Sequence, residues 1–216
     1  MTQNSQKPIL YGYFRSSASY RVRLMLSWKG IDYDQVPINL LKGEQKSEEF
    51  AKINPNKRVP VMVFPDGKIL SQSLAIMEYL EQLYPERSAW PSDPWERALA
   101  NEIVQEIGCD ISPLQNPFVA AVAAGDDNEK RVGWSKHWID RGFASIEKRL
   151  EQHAGKYCVG DSVTMADFFL LPQVANARRF NVDISAYPNV SRVCANLESL
   201  PEFQKAAPQN QPDAKI

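Results

Sequence analysis

Two histidines and three cysteines are all the imidazole and thiol groups that 216 residues carry. His137 and His153 stand apart from any cysteine or carboxylate cluster at ligand spacing, so no metal centre is expected and both are read as structural or exposed. Cys109, Cys158 and Cys194 are odd in number, widely spaced and free of a C-x-x-C pair. That excludes a disulfide framework and a dithiol redox motif, and leaves reduced thiols packed as small hydrophobes. An excess of one charge is missing too. Lys and Arg number 25 against 26 Asp and Glu, a net charge of −1, which supplies no field to gather nucleic acid or an anionic membrane. A small-molecule partner is expected instead. Long apolar runs are absent: a stretch such as Phe168 to Leu171 falls far short of the roughly 20 residues a bilayer-spanning helix needs. The first eight residues, Met1 to Pro8, are polar, so neither an export signal nor a membrane anchor is expected. No internal repeat or low-complexity tract is visible.

With 44% apolar residues the chain can bury a proper core, and its patterning changes character near Pro85, which suggests two domains. Before that point, Ile9 to Phe14 is an apolar run of strand length, and Val22, Met25 and Leu26 then recur at helical spacing until Gly30. Tyr33 to Ile38 favours a strand and Glu48 to Ile53 a brief helix. Val59 to Phe64 and Lys68 to Leu70 flank Asp66-Gly67 and form a hairpin, and Ile76, Met77, Leu80, Leu83 and Tyr84 mark one face of a helix that Pro85 ends. The order βαβαββα is best satisfied by a mixed four-stranded sheet with helices on both sides, a thioredoxin-like α/β domain over residues 8–85. Most X-Pro bonds are trans, and only this fold context makes a cis Val59–Pro60 bond the expectation.

Residues 86–94, rich in proline, read as a linker. Beyond them Trp95 to Ile111, Lys130 to His153, Met165 to Arg179 and Val190 to Leu197 predict an all-helical domain over 95–216. Thr164 and Asp167 form a capping box ahead of an apolar helix, and Trp134 and Trp138 at i,i+4 read as packing. The tail from Pro201 to Ile216 lacks periodicity and is expected to be an irregular or partly disordered coat.

The first domain is organised around Tyr13-Phe14-Arg15-Ser16-Ser17-Ala18-Ser19-Tyr20-Arg21-Val22-Arg23. A strand feeding a helix through serines combines unpaired backbone N–H groups, a positive dipole end and hydroxyl donors. Such a junction suits an anionic atom, which we read as a thiolate. Serines at such a place also serve simply as caps, and Arg21 and Arg23 are read as solvated or paired across elements.

Several blocks of the chain resemble the zeta class of glutathione transferases over nearly its whole length: Lys7 to Tyr11, Phe14 to Ser17 followed by Arg21-Val22-Arg23, Lys29 to Tyr33, Gln72 to Ile76, Pro113 to Asn116, Tyr157 to Asp161 and Pro172 to Ala177. The resemblance implies a glutathione transferase fold and glutathione as the cofactor. It assigns Ser16 as the hydroxyl that stabilises the thiolate, with Ser17 beside it. It further gives the Val59 backbone to the cysteinyl part, Gln72 and Ser73 to the γ-glutamyl carboxylate, Gln45 to the glycyl end, and Gln115 and Asn116 to glutathione from the helical domain. Arg15 and Arg179 match positions for substrate carboxylates, which planar guanidinium forks suit. Gln115 and Asn116 near Pro113 and Pro117 also have a plain reading as helix caps or breakers.

The activity so implied is glutathione-dependent cis–trans isomerisation of maleylacetoacetate in tyrosine and phenylalanine breakdown, by a cytosolic homodimer. Alternatives are a maleylpyruvate isomerase, a broad transferase acting on small α-halo acids, and a non-catalytic glutathione-binding module. Where the family commonly has Cys after the serine pair, this chain has Ala18. A step that needs a protein thiol there is excluded, which counts against reductive dehalogenation.

Overall fold

The computed structural model describes residues 6–215; Met1 to Ser5, part of the polar start noted above, and Ile216 lie outside the described residues. The four strands β1 (Ile9–Gly12), β2 (Asp34–Pro37), β3 (Val61–Val63) and β4 (Ile69–Ser71) form one sheet in the order β2-β1-β3-β4. β2 runs parallel to β1, while β3 runs antiparallel to both β1 and β4. The crossover from β1 to β2 is helix α1 (Ser17–Trp28), α2 (Glu48–Ile53) precedes β3, and α3 (Ser73–Leu83) follows β4. The predicted βαβαββα order is therefore the one found. The Val59–Pro60 bond is cis.

The chain divides into two compact units, one reaching to Arg87 and joined by the segment from Pro201, the other comprising Ser88–Leu200. The sheet's core is built by Leu10, Val61 and Met62 from the strands with Val22, Leu24, Met25, Leu26, Ile76, Met77 and Leu80 from α1 and α3. α1 is buried on more sides than its amphipathic spacing suggests, since Arg21 and Arg23 are hidden along with their apolar neighbours. Arg21 meets Ser73 of α3, and for Arg23 the reason lies in the tail. In place of an irregular coat, the segment forms helix α9 (Pro201–Ala206) and two 3-10 turns, Pro208–Asn210 and Pro212–Lys215, and α9 packs on α1.

Phe203 is 1% exposed and meets Trp28 edge-on at 6.2 Å, a burial that stabilises by about 2 kcal/mol. Arg87 covers the other part of Trp28 at 3.7 Å and pairs with Glu202 at 3.0 Å. Lys29 and Glu81, nearly fully buried, join the end of α1 to α3 at 2.9 Å. Three apolar anchors, Phe203, Ala206 and Ala207, thus fix a segment whose Pro, Gln and Lys content looked like coil.

The second unit is helical throughout. α4 (Pro94–Gln105) continues into a π-helical turn over Glu106–Ile111 and is followed by α5 (Pro117–Ala124), α6 (Asn128–His153), α7 (Met165–Arg179) and α8 (Pro188–Glu198). α7 is its central element, with Met165 to Val174 buried on every side, as an all-round apolar helix must be. Its predicted capping box is present: Asp167 accepts from the Thr164 N–H at 2.7 Å and hydroxyl at 3.0 Å, and from the Cys158 N–H at 3.0 Å. Of the expected buried thiols, Cys158 and Cys194 are buried but Cys109 is exposed on the π turn. The π turn also carries Gly108, whose open side faces Phe169 of α7. Among the described residues no helix is long and apolar enough to cross a membrane.

Candidate functional site

The register of the sheet gathers the chemistry of the first unit at one end. Tyr11 pairs with Val61 and Val61 with Ser71, while Gly12 pairs with Pro37. Three chain segments thus leave or enter the sheet in one row: β1 exits toward Ser16, β3 enters from Val59, and β4 exits toward Gln72. β2 exits at the same end, toward the loop that holds Gln45. Loops beyond the carboxyl ends of parallel strands are where α/β sheets place ligands.

Ser16 caps α1, with extended φ/ψ of −72° and 117°, and its Oγ accepts the Ser19 N–H at 3.1 Å. The Tyr20 N–H goes to the Ser16 carbonyl at 2.9 Å. Within the helix, the N–H groups of Ser17 and Ala18 therefore lack an acceptor and point along the positive end of the dipole. Ser16 has used an oxygen lone pair and keeps its proton to donate. Ser16 and Ser17 are both half-buried, and Arg15 is exposed with its guanidinium 5.0 Å over the Phe14 ring.

Gln72 is exposed and holds φ at +72° ahead of α3, a conformation that costs a non-glycine residue about 1–3 kcal/mol. Strain of that kind persists where the side chain is needed. Ser73, 7% exposed, opens α3, and its Oγ accepts from Arg21 Nη1 at 3.4 Å. Burial pushes the Arg21 guanidinium down to about 9, so the interior already carries a poorly solvated cation next to the hydroxyl expected to meet a carboxylate. Arg21 thus lies against an expected site residue, a placement that sequence reasoning missed. The signal was there, as two arginines in an apolar helix at spacing i,i+2 cannot both face water.

Gln45 lies in the 3-10 turn Glu44–Lys46, and its Oε1 is buried with no partner among the described residues, a polar atom that suits a ligand donor. Val59 is half-buried and packs on the small cluster of Ile38, Phe50 and Val61. Six of the expected residues, Ser16, Ser17, Gln45, Val59, Gln72 and Ser73, therefore share one end of the sheet with Arg15.

The residues expected from the second unit fare differently. Gln115 is 2% exposed, and its amide is locked to that of Gln173 by two reciprocal bonds, Nε2 to Oε1 at 2.8 Å and 2.9 Å. Its carbonyl accepts the Ser135 hydroxyl at 3.2 Å. The side chain belongs to a core amide pair, with its amide nitrogen and oxygen both engaged inside the second unit. Asn116 caps α5 by accepting the Phe118 N–H at 3.0 Å, and Pro117 takes the first helical position. Arg179 is exposed at the end of α7, 5.5 Å over the Phe180 ring, whereas its neighbour Arg178 pairs with Glu198 at 2.5 Å.

Residues 7–82 match the family described as glutathione S-transferase, N-terminal domain, and residues 113–206 that described as glutathione S-transferase, C-terminal domain. The chain is 51% identical over 220 aligned residues to maleylacetoacetate isomerase of Dictyostelium discoideum, covering 100% of this chain and 99% of that one. Among solved structures it is similar to a holo maleylpyruvate isomerase described as a bacterial zeta-class glutathione S-transferase, at a TM-score of 0.90 and 36% identity over 95% of this chain and 99% of that one. It is also similar to maleylacetoacetate isomerase of Anaeromyxobacter dehalogenans with dicarboxyethyl glutathione and citrate in the active site, at a TM-score of 0.87 and 37% identity over 96% and 97% of the two chains.

Proposed function

Because the chain belongs to the glutathione S-transferase family, in its zeta class, we propose that it is a glutathione-dependent cis–trans isomerase acting on maleylacetoacetate. The observation that carries this reading is the state of Ser16: a helix cap whose oxygen is engaged and whose proton is left to donate, beside the open N–H groups of Ser17 and Ala18. Bound glutathione would supply the sulfur that adds to the cis double bond and is expelled after rotation.

The protein's own part is electrostatic. A thiol is a poor nucleophile near its ordinary pKa of about 8.5, and a fixed hydroxyl donor with a helix N-terminus lowers it. Ser16 is assigned that donor role, with Ser17 adjacent. Gln72 and Ser73, backed by buried Arg21, would hold the γ-glutamyl carboxylate, Gln45 would accept from the glycyl end, and the Val59 backbone would pair with the cysteinyl part. Asn116 is half-buried at the start of α5 and stays a candidate contact, with its side-chain oxygen already used as a cap. Arg15 and Arg179 expose guanidinium groups for substrate carboxylates. Ala18 leaves no protein thiol in the first turn of α1, so the reaction class that fits is one whose only sulfur comes from the cofactor.

The identity to curated relatives named maleylacetoacetate isomerase favours that substrate over maleylpyruvate. A cytosolic homodimer belongs to the same reading. Turnover of maleylacetoacetate with and without glutathione tests it, alongside Ser16→Ala and Arg179→Ala. Turnover that is absent, or independent of glutathione, rejects it.

A further inference from the structure

The loop that carries Arg15 and Ser16 is held from outside the thioredoxin-like part of the chain. Asp213, 6% exposed in the last 3-10 turn, accepts the Phe14 N–H at its Oδ2, 2.9 Å away, and the Gln35 side-chain amide at its Oδ1, 3.1 Å away. The other face of the same loop is held by Arg23, 1% exposed, whose Nη2 donates to the Phe14 carbonyl at 3.1 Å and Nη1 to the Tyr13 carbonyl at 3.4 Å. Arg23 in turn donates from Nε to the Ala206 carbonyl at 3.1 Å. Both polar groups of Phe14 are thus fixed by partners that the tail supplies directly or anchors. Two residues later, Ser16 donates its N–H to the same Tyr13 carbonyl at 3.0 Å.

We propose that Asp213 is a positioning residue, which acts with Arg23 to set the Tyr13–Ser16 loop so that the Ser16 hydroxyl and the Ser17 and Ala18 N–H groups converge on one point. The tail from Pro201 is then part of the thiolate-stabilising apparatus. Three observations support a positioning role over mere packing. The Asp213 carboxylate spends both oxygens on hydrogen bonds, one of them to the loop backbone itself. The two charges that bracket Phe14 are opposite in sign and both buried, where hydrogen bonds to charged groups are strongest. Finally, the tail has hydrogen bonds of its own besides this contact, with Gln211 donating to the Lys205 and Ala207 carbonyls at 3.0 Å each. A loop left to relax by about 1 Å would separate donors that must act together, which costs catalysis on the order of a hundredfold.

This inference rests on the reading of Ser16 and Ser17 as thiolate donors, and the test separates the two. In Asp213→Ala, amide hydrogen exchange over residues 13–19 should quicken at least tenfold in the ligand-free protein while peptides covering 61–83 keep their protection. The thiol of bound glutathione, followed by thiolate absorbance, should hold its proton about tenfold more tightly, with kcat falling by about ten- to a hundredfold. Asp213→Asn keeps an acceptor for the Phe14 N–H and should recover part of each loss. If wild type itself leaves the glutathione thiol unperturbed, the thiolate reading fails, while the exchange result still decides the positioning role. Unchanged exchange over 13–19, or unchanged thiol affinity and kcat in a folded Asp213→Ala protein that displays faster exchange, would overturn the proposal. Should the alanine variant not fold, Asp213→Glu, whose longer arm displaces the acceptor, is measured in the same way, and wild-type values in it reject the proposal.

Discussion

Ser16 Oγ accepts the backbone N–H of Ser19 at 3.1 Å, so the residue expected to tune the thiolate is also the cap of the helix behind it. The two roles use different atoms, and substitution removes both. Ser16→Ala should lower stability by about 1 kcal/mol through the lost cap and kcat/KM by about 10²–10³, the usual effect of removing one preorganised donor from a developing or fixed anion. Urea unfolding measures the first and steady-state kinetics the second. Full activity in Ser16→Ala with activity lost in Ser17→Ala would transfer the donor role to Ser17.

Gln72 holds φ at +72° and so sets stability against binding. Gly adopts that conformation without the steric penalty, although it loses more freedom on folding. Gln72→Gly is expected to leave the protein as stable or up to about 1 kcal/mol more stable, yet to bind glutathione more weakly because the side-chain amide is gone. Thermal unfolding paired with calorimetric titration checks both, and a variant that gains stability with no loss of affinity removes Gln72 from the site.

The amide pair of Gln115 and Gln173 makes a prediction about coupling. Gln115→Leu strands the Gln173 amide in the core and should cost about 1–3 kcal/mol. Replacing both by Leu removes the stranded group, so the double variant should be less destabilised than the sum of the single ones. Denaturant unfolding of the four proteins gives the coupling energy, and additive losses would show that the two amides do not depend on each other.

Burial pushes the Cys158 thiol well above its ordinary range and the Cys194 thiol likewise. A folded pKa above the unfolded one means that the folded state binds more protons, so the stability these thiols contribute is complete below about pH 8.5 and is lost as pH rises above it. Each thiol should add up to about 1.4 kcal/mol per pH unit to the alkaline decline. Cys194→Ala, whatever its effect at neutral pH, should decline less steeply between pH 8.5 and 10 than wild type. In the native protein an alkylating reagent should label Cys109 alone, and all three cysteines only after unfolding.

Local sequence was a good guide wherever a residue's role is decided by its near neighbours. The Glu48–Ile53 helix, the Thr164–Asp167 box and the strand–helix alternation up to Leu83 follow from capping, turn and periodicity rules that span a few residues. α5 escaped because an Ala-rich helix of eight residues has no polar face to give a period, and its caps Asn116 and Pro117 looked like a break. The tail escaped for a related reason: α9 and two 3-10 turns are each too short for periodicity, and its apolar anchors Phe203, Ala206 and Ala207 stand among Pro, Gln and Lys.

By itself the sequence determined the kind of site expected of this protein. A serine pair at a strand-to-helix junction and Gln72-Ser73 at a second helix start point to an anion site, and Ala18, where the resembled family commonly has Cys, points to a sulfur that is not the protein's own. Only the tertiary structure decided how those parts are held. It buried Arg21 behind Ser73, turned Gln115 into the core, and brought Asp213 to Phe14 across 199 residues of chain. Those outcomes depend on which faces are covered by distant segments, and burial changes what a charge or an amide must do to be satisfied; no local pattern encodes that.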